Sequence, residues 1–286
     1  MRVFVTGASG YIGSAVVHEL LGAGHTVVGL ARTEQGAALL REAGAEARLG
    51  SLDDTDSLHS AAAAADGVIH LAFGGFANRQ NTNFAGADFA RALQTDLSAV
   101  EAMGAALVGS GKPFITTAHL NGEASDNATL ALAPRGVRSA VASLAPSVHG
   151  EGDTHGFIPR LIAIARAKGV SAYIGDGANR WTAVHRLDAA RLYRLALEAA
   201  PAGSRLDGVA DAGIPFRDIA GVIGNHLNLP VVSIPREEAS AHFGPAAPIA
   251  ALDRPRSSVQ TQELLGWRPT HPGLLADLEQ GYYFQQ

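Results

Sequence analysis

The chain opens on a short apolar run, Val3-Phe4-Val5-Thr6, that passes straight into Gly7-Ala8-Ser9-Gly10-Tyr11-Ile12-Gly13 and then an apolar stretch, Ile12 to Leu21. Three glycines at three-residue spacing between a strand and a helix leave few architectures open. One glycine makes the tight turn, one lets the backbone approach a pyrophosphate, and one lets the helix pack closely on the strand. Backbone N–H groups at the helix start then face the phosphates, where the helix dipole favours negative charge. The pattern predicts a dinucleotide-binding β-α-β unit, with Gly7, Ser9, Gly10, Tyr11, Ile12 and Gly13 forming its phosphate turn.

The end of the second strand decides which dinucleotide. A carboxylate about twenty residues past the glycines would accept a hydrogen bond from a ribose 2′-hydroxyl and mark NAD. Here His25-Thr26-Val27-Val28-Gly29-Leu30 leads to Ala31, Arg32 and Thr33, and the first acid is Glu34. A guanidinium offers charge and a planar fork of donors to a 2′-phosphate. Arg32 and Thr33 therefore predict NADP(H) as the cofactor.

Beyond this unit, strand and helix patterns keep alternating. A helix around 35–42 precedes a strand near 45–49, and an alanine-rich helix (56–64) precedes a buried strand (67–72). A long helix (84–108), a strand (113–117), a short helix (126–133) and a strand (137–144) follow. Such alternation predicts an α/β fold, a doubly wound parallel sheet of Rossmann type covered by helices on both faces. Ligands of such sheets bind at the carboxyl ends of the strands, near the switch point in strand order. From about residue 150 the pattern is less regular, with strands near 170–174, 204–209 and 231–234. The division expected is 1–155 as the NADP-binding core, joined by a returning helix at about 187–200. Residues 156–286 form mainly a smaller substrate-binding lobe.

Composition excludes several classes of function. A formal net charge of −5 without a lysine-rich run predicts no nucleic-acid or anionic-membrane partner. No apolar run approaches the roughly 18 residues that span a bilayer. Cysteine is absent, which removes thiolate chemistry and fits a reducing, cytoplasmic setting. A strand at residue 2 leaves no room for a signal peptide, in keeping with that setting. His149, Asp153 and His155 lack ligand spacing, so no metal is expected.

Further motifs extend the pattern. They are Asp53 after the third strand, His70-Leu71-Ala72 after the fourth, and Pro146-Ser147-Val148-His149-Gly150 after the sixth. Arg180-Trp181-Thr182-Ala183-Val184-His185-Arg186-Leu187-Asp188 and Glu263-Leu264-Leu265-Gly266-Trp267-Arg268-Pro269 follow. With the glycine turn, they make the chain resemble the extended or atypical short-chain dehydrogenase/reductases of the NAD-dependent epimerase/dehydratase group, over nearly its whole length. The resemblance implies that Asp53, beside Leu52, binds the adenine amino group. It implies that Leu71, Ala72 and Phe73 line the ribose, and that Pro146, Ser147 and Val148 flank the nicotinamide. His185 and Asp188 would tie the two lobes together. A homodimer through the fourth and fifth helices is also implied, though the short fifth helix weakens it.

The chain departs from that group where the chemistry should be. The group pairs a Ser/Thr after strand five with a Tyr-x-x-x-Lys on the next helix. This chain has two lysines, Lys112 and Lys168, with Val108 and Ile164 four residues before them, so the motif is absent. Asp96 stands where the group often has asparagine on helix four. Thr116 and Thr117 end the fifth strand, where one could replace the missing hydrogen-bond donor, and β-propensity alone would also place them there. His119, at the same end, is a candidate general acid. Phe73, Phe157 and Trp181 are candidate walls of an apolar pocket for a small-molecule substrate, with residues 81–83 and 85–87 as its mobile edge. Two functions fit. One is an NADPH-dependent reductase of a small apolar carbonyl or imine, and the other a non-catalytic NADP-binding sensor or regulator.

Overall fold

The computed structural model describes residues 1–74 and 86–285. The alternation appears as β1 (Arg2–Thr6), α1 (Tyr11–Gly22), β2 (Thr26–Ala31), α2 (Glu34–Glu42), β3 (Glu46–Leu49), α3 (Thr55–Ala64) and β4 (Gly67–His70). It continues with α4 (Ala87–Leu107), β5 (Pro113–Thr117), α5 (Glu123–Leu130) and β6 (Arg138–Leu144). Then come β7 (Ser147–His149), α6 (Phe157–Lys168), β8 (Ser171–Ile174), β9 (Arg180–His185), α7 (Arg186–Ala199) and β10 (Ser204–Gly208). The remainder is β11 (Asp211–Pro215), α8 (Phe216–Leu227), β12 (Val231–Ile234), α9 (Ala239–Phe243), α10 (Ala247–Ala250), α11 (Val259–Leu265) and α12 (Leu274–Leu278).

The contacts divide the chain into two units. The first comprises Met1–Leu144, Ala189–Gly208 and Val259–Arg268, and the second Ala145–Asp188, Val209–Ser258 and the chain from Pro269. The division thus falls at Leu144, where the sequence reading drew it after residue 155.

A seven-stranded sheet of order β10-β6-β5-β4-β1-β2-β3 runs through the first unit, every pairing parallel. Its central strands are continuous apolar runs. Val3, Val5, Val68, Ile69, Phe114, Ile115, Ala140 and Ala142 are fully buried, because helices cover both faces and no polar alternation is needed. Phe4, Val68 and Phe114 pack with Leu58 of α3 and Val100, Met103 and Leu107 of α4. The starts of α2 and α3 are capped by side chains. Thr33 Oγ1 accepts from Gly36 N and Asp54 Oδ1 from Ser57 N. At the far end of α7, the Arg138 guanidinium donates to the carbonyls of Ala196, Leu197 and Ala200, where the last turn runs out of intrahelical N–H donors.

Two placements differ from expectation. The strand at 204–209 belongs to the large sheet, where Ser204–Gly208 pairs with Ala140–Leu144, and not to a separate lobe. Asp207 N there donates to Thr261 Oγ1, which fastens α11 to the same edge. Helix α5 starts at Glu123, ahead of the expected 126, because the tight turn at 119–122 already closes the preceding loop.

The second unit holds a three-stranded sheet, β11-β9-β7, and a parallel pair, β12-β8. Its core gathers Ile158, Trp181, Phe216, Ile219, Phe243 and Tyr283. Three of its strands, β7, β9 and β11, are not expected as strands from the sequence: β7 has three residues, and β9 and β11 begin on charged residues without a clear period-two alternation. Among the described residues no helix is long and apolar enough to cross a membrane.

Candidate functional site

Strand order reverses between β1 and β4, and the glycine turn leaves β1 at that point. Gly7 adopts φ +70°, a left-handed conformation that glycine enters without steric cost. A Cβ on Gly13 would lie 2.0 Å from the Gly7 carbonyl oxygen, so helix and turn approach as closely as backbone allows. Gly10 caps α1 with φ −80° and ψ 174°, and its N–H donates to Gly7 O at 2.9 Å. Ser9 and Gly10 are exposed, while Tyr11 and Ile12 are half-buried. A strand end, glycines admitting no side chain and a twelve-residue helix aimed from the turn make a cradle that fits a pyrophosphate.

Arg32 follows β2 and is exposed, with no side-chain partner among the described residues. Thr33 caps α2 beside it. Leu52 is buried, and Asp53 is exposed, accepting from Thr95 Oγ1 of α4 at 3.4 Å. Leu71, Ala72 and Phe73 leave β4 half-buried. Pro146, Ser147 and Val148 open the second unit at β7.

Polar groups at the carboxyl ends of β1, β4 and β5 form one connected set. Thr6 and His70 are register partners on β1 and β4, and His70 and Thr116 on β4 and β5. Thr6 Oγ1 accepts from the N–H groups of Leu71 and Ala72, both at 3.2 Å. Its own proton therefore goes to His70 Nδ1, 2.6 Å away. That leaves the His70 proton on Nε2, which donates to Asp96 Oδ1 at 3.1 Å. Burial pushes the Asp96 carboxyl upward. The His70 hydrogen bond, the charges of His70 and His119 and a Ser125 hydroxyl outweigh it, so the group lies below the usual carboxylate value.

His119 Nε2 approaches the same carboxylate oxygen at 3.7 Å, outside hydrogen-bond distance. It is buried and has no partner among the described residues. The ring lies nearly flat on Phe73, centroids 4.1 Å apart, and Phe73 in turn meets the edge of Phe89. A turn holds the backbone, with Gly122 N donating to His119 O at 3.0 Å and Asn121 at φ +58°, a position asparagine tolerates. Burial pulls the imidazole down to about 4, with Asp96 opposing and His70 adding to the fall. His119 is neutral at neutral pH. The expected imidazolium acid is corrected on this ground.

The two threonines also differ from expectation. Thr129 Oγ1 donates to Ser125 O, so Thr116 donates to Thr129 Oγ1 at 3.1 Å, and Thr116 is buried. Thr116 is no longer a candidate donor to substrate. Thr117 Oγ1 donates to His70 O at 3.0 Å and accepts from the Tyr193 hydroxyl at 2.7 Å. Tyr193, on α7, is fully buried, which pushes its phenol upward. Sequence reasoning missed it because Ala189, Ala190, Leu192, Ala196 and Leu197 surround it at helical spacing, and the stripe reads as core. His70 and Asp96 stood out individually, while their pairing had no signal in the chain.

In the second unit, Phe157 and Trp181 do meet, centroids 5.8 Å apart, but Trp181 is core. Its indole N–H donates to Ile249 O, and its ring also meets Phe216 edge-on, centroids 5.0 Å apart. Trp181 is thus corrected from pocket wall to core, and Phe73 belongs to the first unit. His149 Nδ1 lies 2.7 Å from Asp277 Oδ2. Asp188 accepts from Thr270 N, His271 N and His271 Nδ1, each at 3.0 Å, bonds that gather residues of this unit. His185 stacks on His271, and burial with its histidine neighbours lowers it to about 4. His155 pairs with Thr154. Among the described residues no three histidines or carboxylates are arranged to hold a metal. The expected mobile edge at 81–83 and 85 lies outside the described residues, whereas Gly86 caps α4.

The model of the NAD dependent epimerase/dehydratase family matches residues 3–135. An uncharacterized protein of Schizosaccharomyces pombe is 45% identical over 305 residues, covering 99% of this chain and 100% of the relative. A 2-alkyl-3-oxoalkanoate reductase of Stenotrophomonas maltophilia is 28% identical, covering 88% and 82%. A dTDP-glucose 4,6-dehydratase of Streptomyces venezuelae, crystallised with NAD, superposes with a TM-score of 0.74 at 17% identity, covering 100% and 97%. At that identity the likeness shows the fold, and it is the doubly wound α/β fold expected.

Proposed function

Because the chain belongs to the NAD dependent epimerase/dehydratase family, we propose that it is an NADP(H)-dependent reductase of a small apolar carbonyl or imine, working without a Tyr-x-x-x-Lys pair. The observation that carries the reading is the phosphate cradle at the β1/β4 switch point, where a Gly13 side chain would overlap Gly7. A nicotinamide dinucleotide suits it, and the unpaired Arg32 at the end of β2 suits a 2′-phosphate. Gly7 to Gly13 would hold the pyrophosphate, with Arg32 and Thr33 at the ribose phosphate and Asp53 at the adenine. The bound cofactor supplies hydride.

The chain's own groups then orient the acceptor and govern its charge. Reducing a ketone develops negative charge on oxygen, which needs a donor. Thr116 and Thr117 have committed their protons within the protein, and His119 is neutral. An iminium carbon already attracts hydride and its amine product needs no strong acid, so C=N and activated carbonyl compounds should outpace simple ketones. The named reductase among the relatives supports the reductive direction.

A second reading, a non-catalytic NADP-binding sensor, is favoured by one observation, the committed hydroxyls of Thr116 and Thr117. Following 340 nm absorbance with NADPH and a panel of aldehydes, ketones and cyclic imines separates the two. Turnover of imines above ketones supports the reductase. NADPH binding without turnover of any class supports the sensor.

A further inference from the structure

His119 raises a question of hydrogen-bond direction that the reductase reading leaves open. Its Nε2 is sealed from solvent, unpartnered among the described residues, and aimed at Asp96 Oδ1 from 3.7 Å. That oxygen already receives the His70 Nε2 proton, so Asp96 is the acceptor of the set. A bare lone pair on His119 Nε2 would face a carboxylate oxygen, two acceptors 3.7 Å apart in a buried setting. A proton on Nε2 turns the same contact into attraction, one short ring movement from a hydrogen bond. In the neutral ring the other nitrogen, Nδ1, must then be the acceptor.

We propose that Asp96 is a positioning residue that holds His119 as its Nε2–H tautomer, so that Nδ1 offers a lone pair and selects ligands carrying a cationic N–H. The proposal rests on the reductase reading for its substrate class and narrows it to a protonated imine and its ammonium product. Two features of the geometry favour charge as well as a donor. An ionised carboxylate stands behind the accepting ring, and the Phe73 face lies flat on that ring, keeping it from rotating out of line. His70 completes the device, since Thr6 pins its tautomer from the glycine turn and it in turn orients Asp96. The N–H proton stays on the ligand nitrogen throughout, and no side chain has to give one up.

Long-range proton–nitrogen spectra of histidine-labelled protein saturated with NADP+ test the tautomer directly. Wild type should show His119 protonated at Nε2 at pH 7, and Asp96→Asn should shift it toward the other tautomer. A wild-type ring protonated at Nδ1 would overturn the proposal, and so would a tautomer indifferent to Asp96→Asn. Calorimetry on the same NADP+-loaded proteins tests the ligand class, comparing 2-methylpyrrolidine, a cation at pH 7, with the neutral 2-methyltetrahydrofuran. The cation should bind at least about tenfold tighter to wild type, as one charge-assisted hydrogen bond allows, and Asp96→Asn should erase the ratio with NADP+ affinity unchanged. Equal affinity, binding of neither compound, or a ratio that survives Asp96→Asn overturns it. Charge discrimination with no NADPH turnover of any substrate would defeat the reductase reading and leave this one standing, while imine turnover with charge-blind binding would do the reverse.

Discussion

Each unit contains a buried histidine–carboxylate cluster, and the two are finished differently. In the second, His149 Nδ1 reaches Asp277 at 2.7 Å, the same oxygen takes the Tyr282 hydroxyl at 2.7 Å, and Asp188 collects the start of the segment after α11. Asp277 stays below its usual value although burial raises it, because His149 and Tyr282 both donate to it. In the first, Asp96 has His70 at 3.1 Å and His119 beyond reach at 3.7 Å. His149 also has a bare Nε2, but its Nδ1 proton is given to Asp277, so the unpaired atom is a lone pair in a ring already held. The closed cluster fastens a chain segment. The open one keeps a ring nitrogen without a partner among the described residues, at the carboxyl end of the sheet, the end at which doubly wound folds take their ligands.

Variants in the first unit should therefore alter binding, and variants in the closed cluster stability. The largest effect expected is on the glycine turn. Gly10→Val should weaken NADPH binding by more than about a thousandfold, about 4 kcal/mol, while the chain still folds with a lowered melting temperature, since φ −80° suits any residue but a Cβ would lie 3.1 Å from the Gly7 carbonyl oxygen. Wild-type affinity in that variant would place the cradle elsewhere. Asp277→Ala leaves His149 and Tyr282 without their acceptor and should cost about 3–5 kcal/mol of stability, read as a urea midpoint, while NADPH affinity per folded molecule holds. A variant that binds worse yet unfolds like wild type would break the comparison.

Acid separates the units less sharply. His119 and His185 both sit at about 4 in the folded chain, below the ordinary value near 6.5. Their folded pKa values are depressed, so the unfolded chain takes up these protons first. The stability they allow is complete above about pH 6.5 and falls as pH drops toward about 4, by on the order of 3 kcal/mol for His119. His119→Gln and His185→Gln should each flatten the slope of urea midpoints over that window, and an unchanged slope in both would show that other groups carry it. The smallest effect expected is at the cofactor's edge. Arg32→Ala should weaken NADPH by about 1.5–3 kcal/mol and leave NADH untouched, so equal losses for both cofactors would remove the 2′-phosphate assignment.

What was legible follows from range along the chain. Gly7, Gly10 and Gly13 interact within one turn, so their spacing announces the cradle. The strands Pro113–Thr117 and Val231–Ile234 match their apolar runs residue for residue. Thr116 and Thr117 illustrate the limit. Both end a strand, and nothing local tells that Thr129 claims one hydroxyl and Tyr193 the other. The edge strand at 204–208 was legible as a strand but not as a member of the large sheet, because its partner β6 lies far back in the chain. The Asp96 pairing is equally hidden, since it joins three elements through side chains that each look unremarkable alone.

The edge strand β10 also has a consequence in time. During synthesis, β6 leaves the ribosome with its outer edge open, and β10 follows only after β7, β9 and α7 have been made. At about 5–20 residues per second the gap lasts several seconds, during which a row of unpaired N–H and C=O groups on an alanine- and valine-rich strand can recruit a strand from another chain. Arg138 begins that strand, with its charge exposed until the carbonyls of α7 arrive to receive it. A cation at the head of an unpaired strand disfavours pairing with a second copy of the same sequence, so the residue that closes α7 in the finished protein also guards the nascent one.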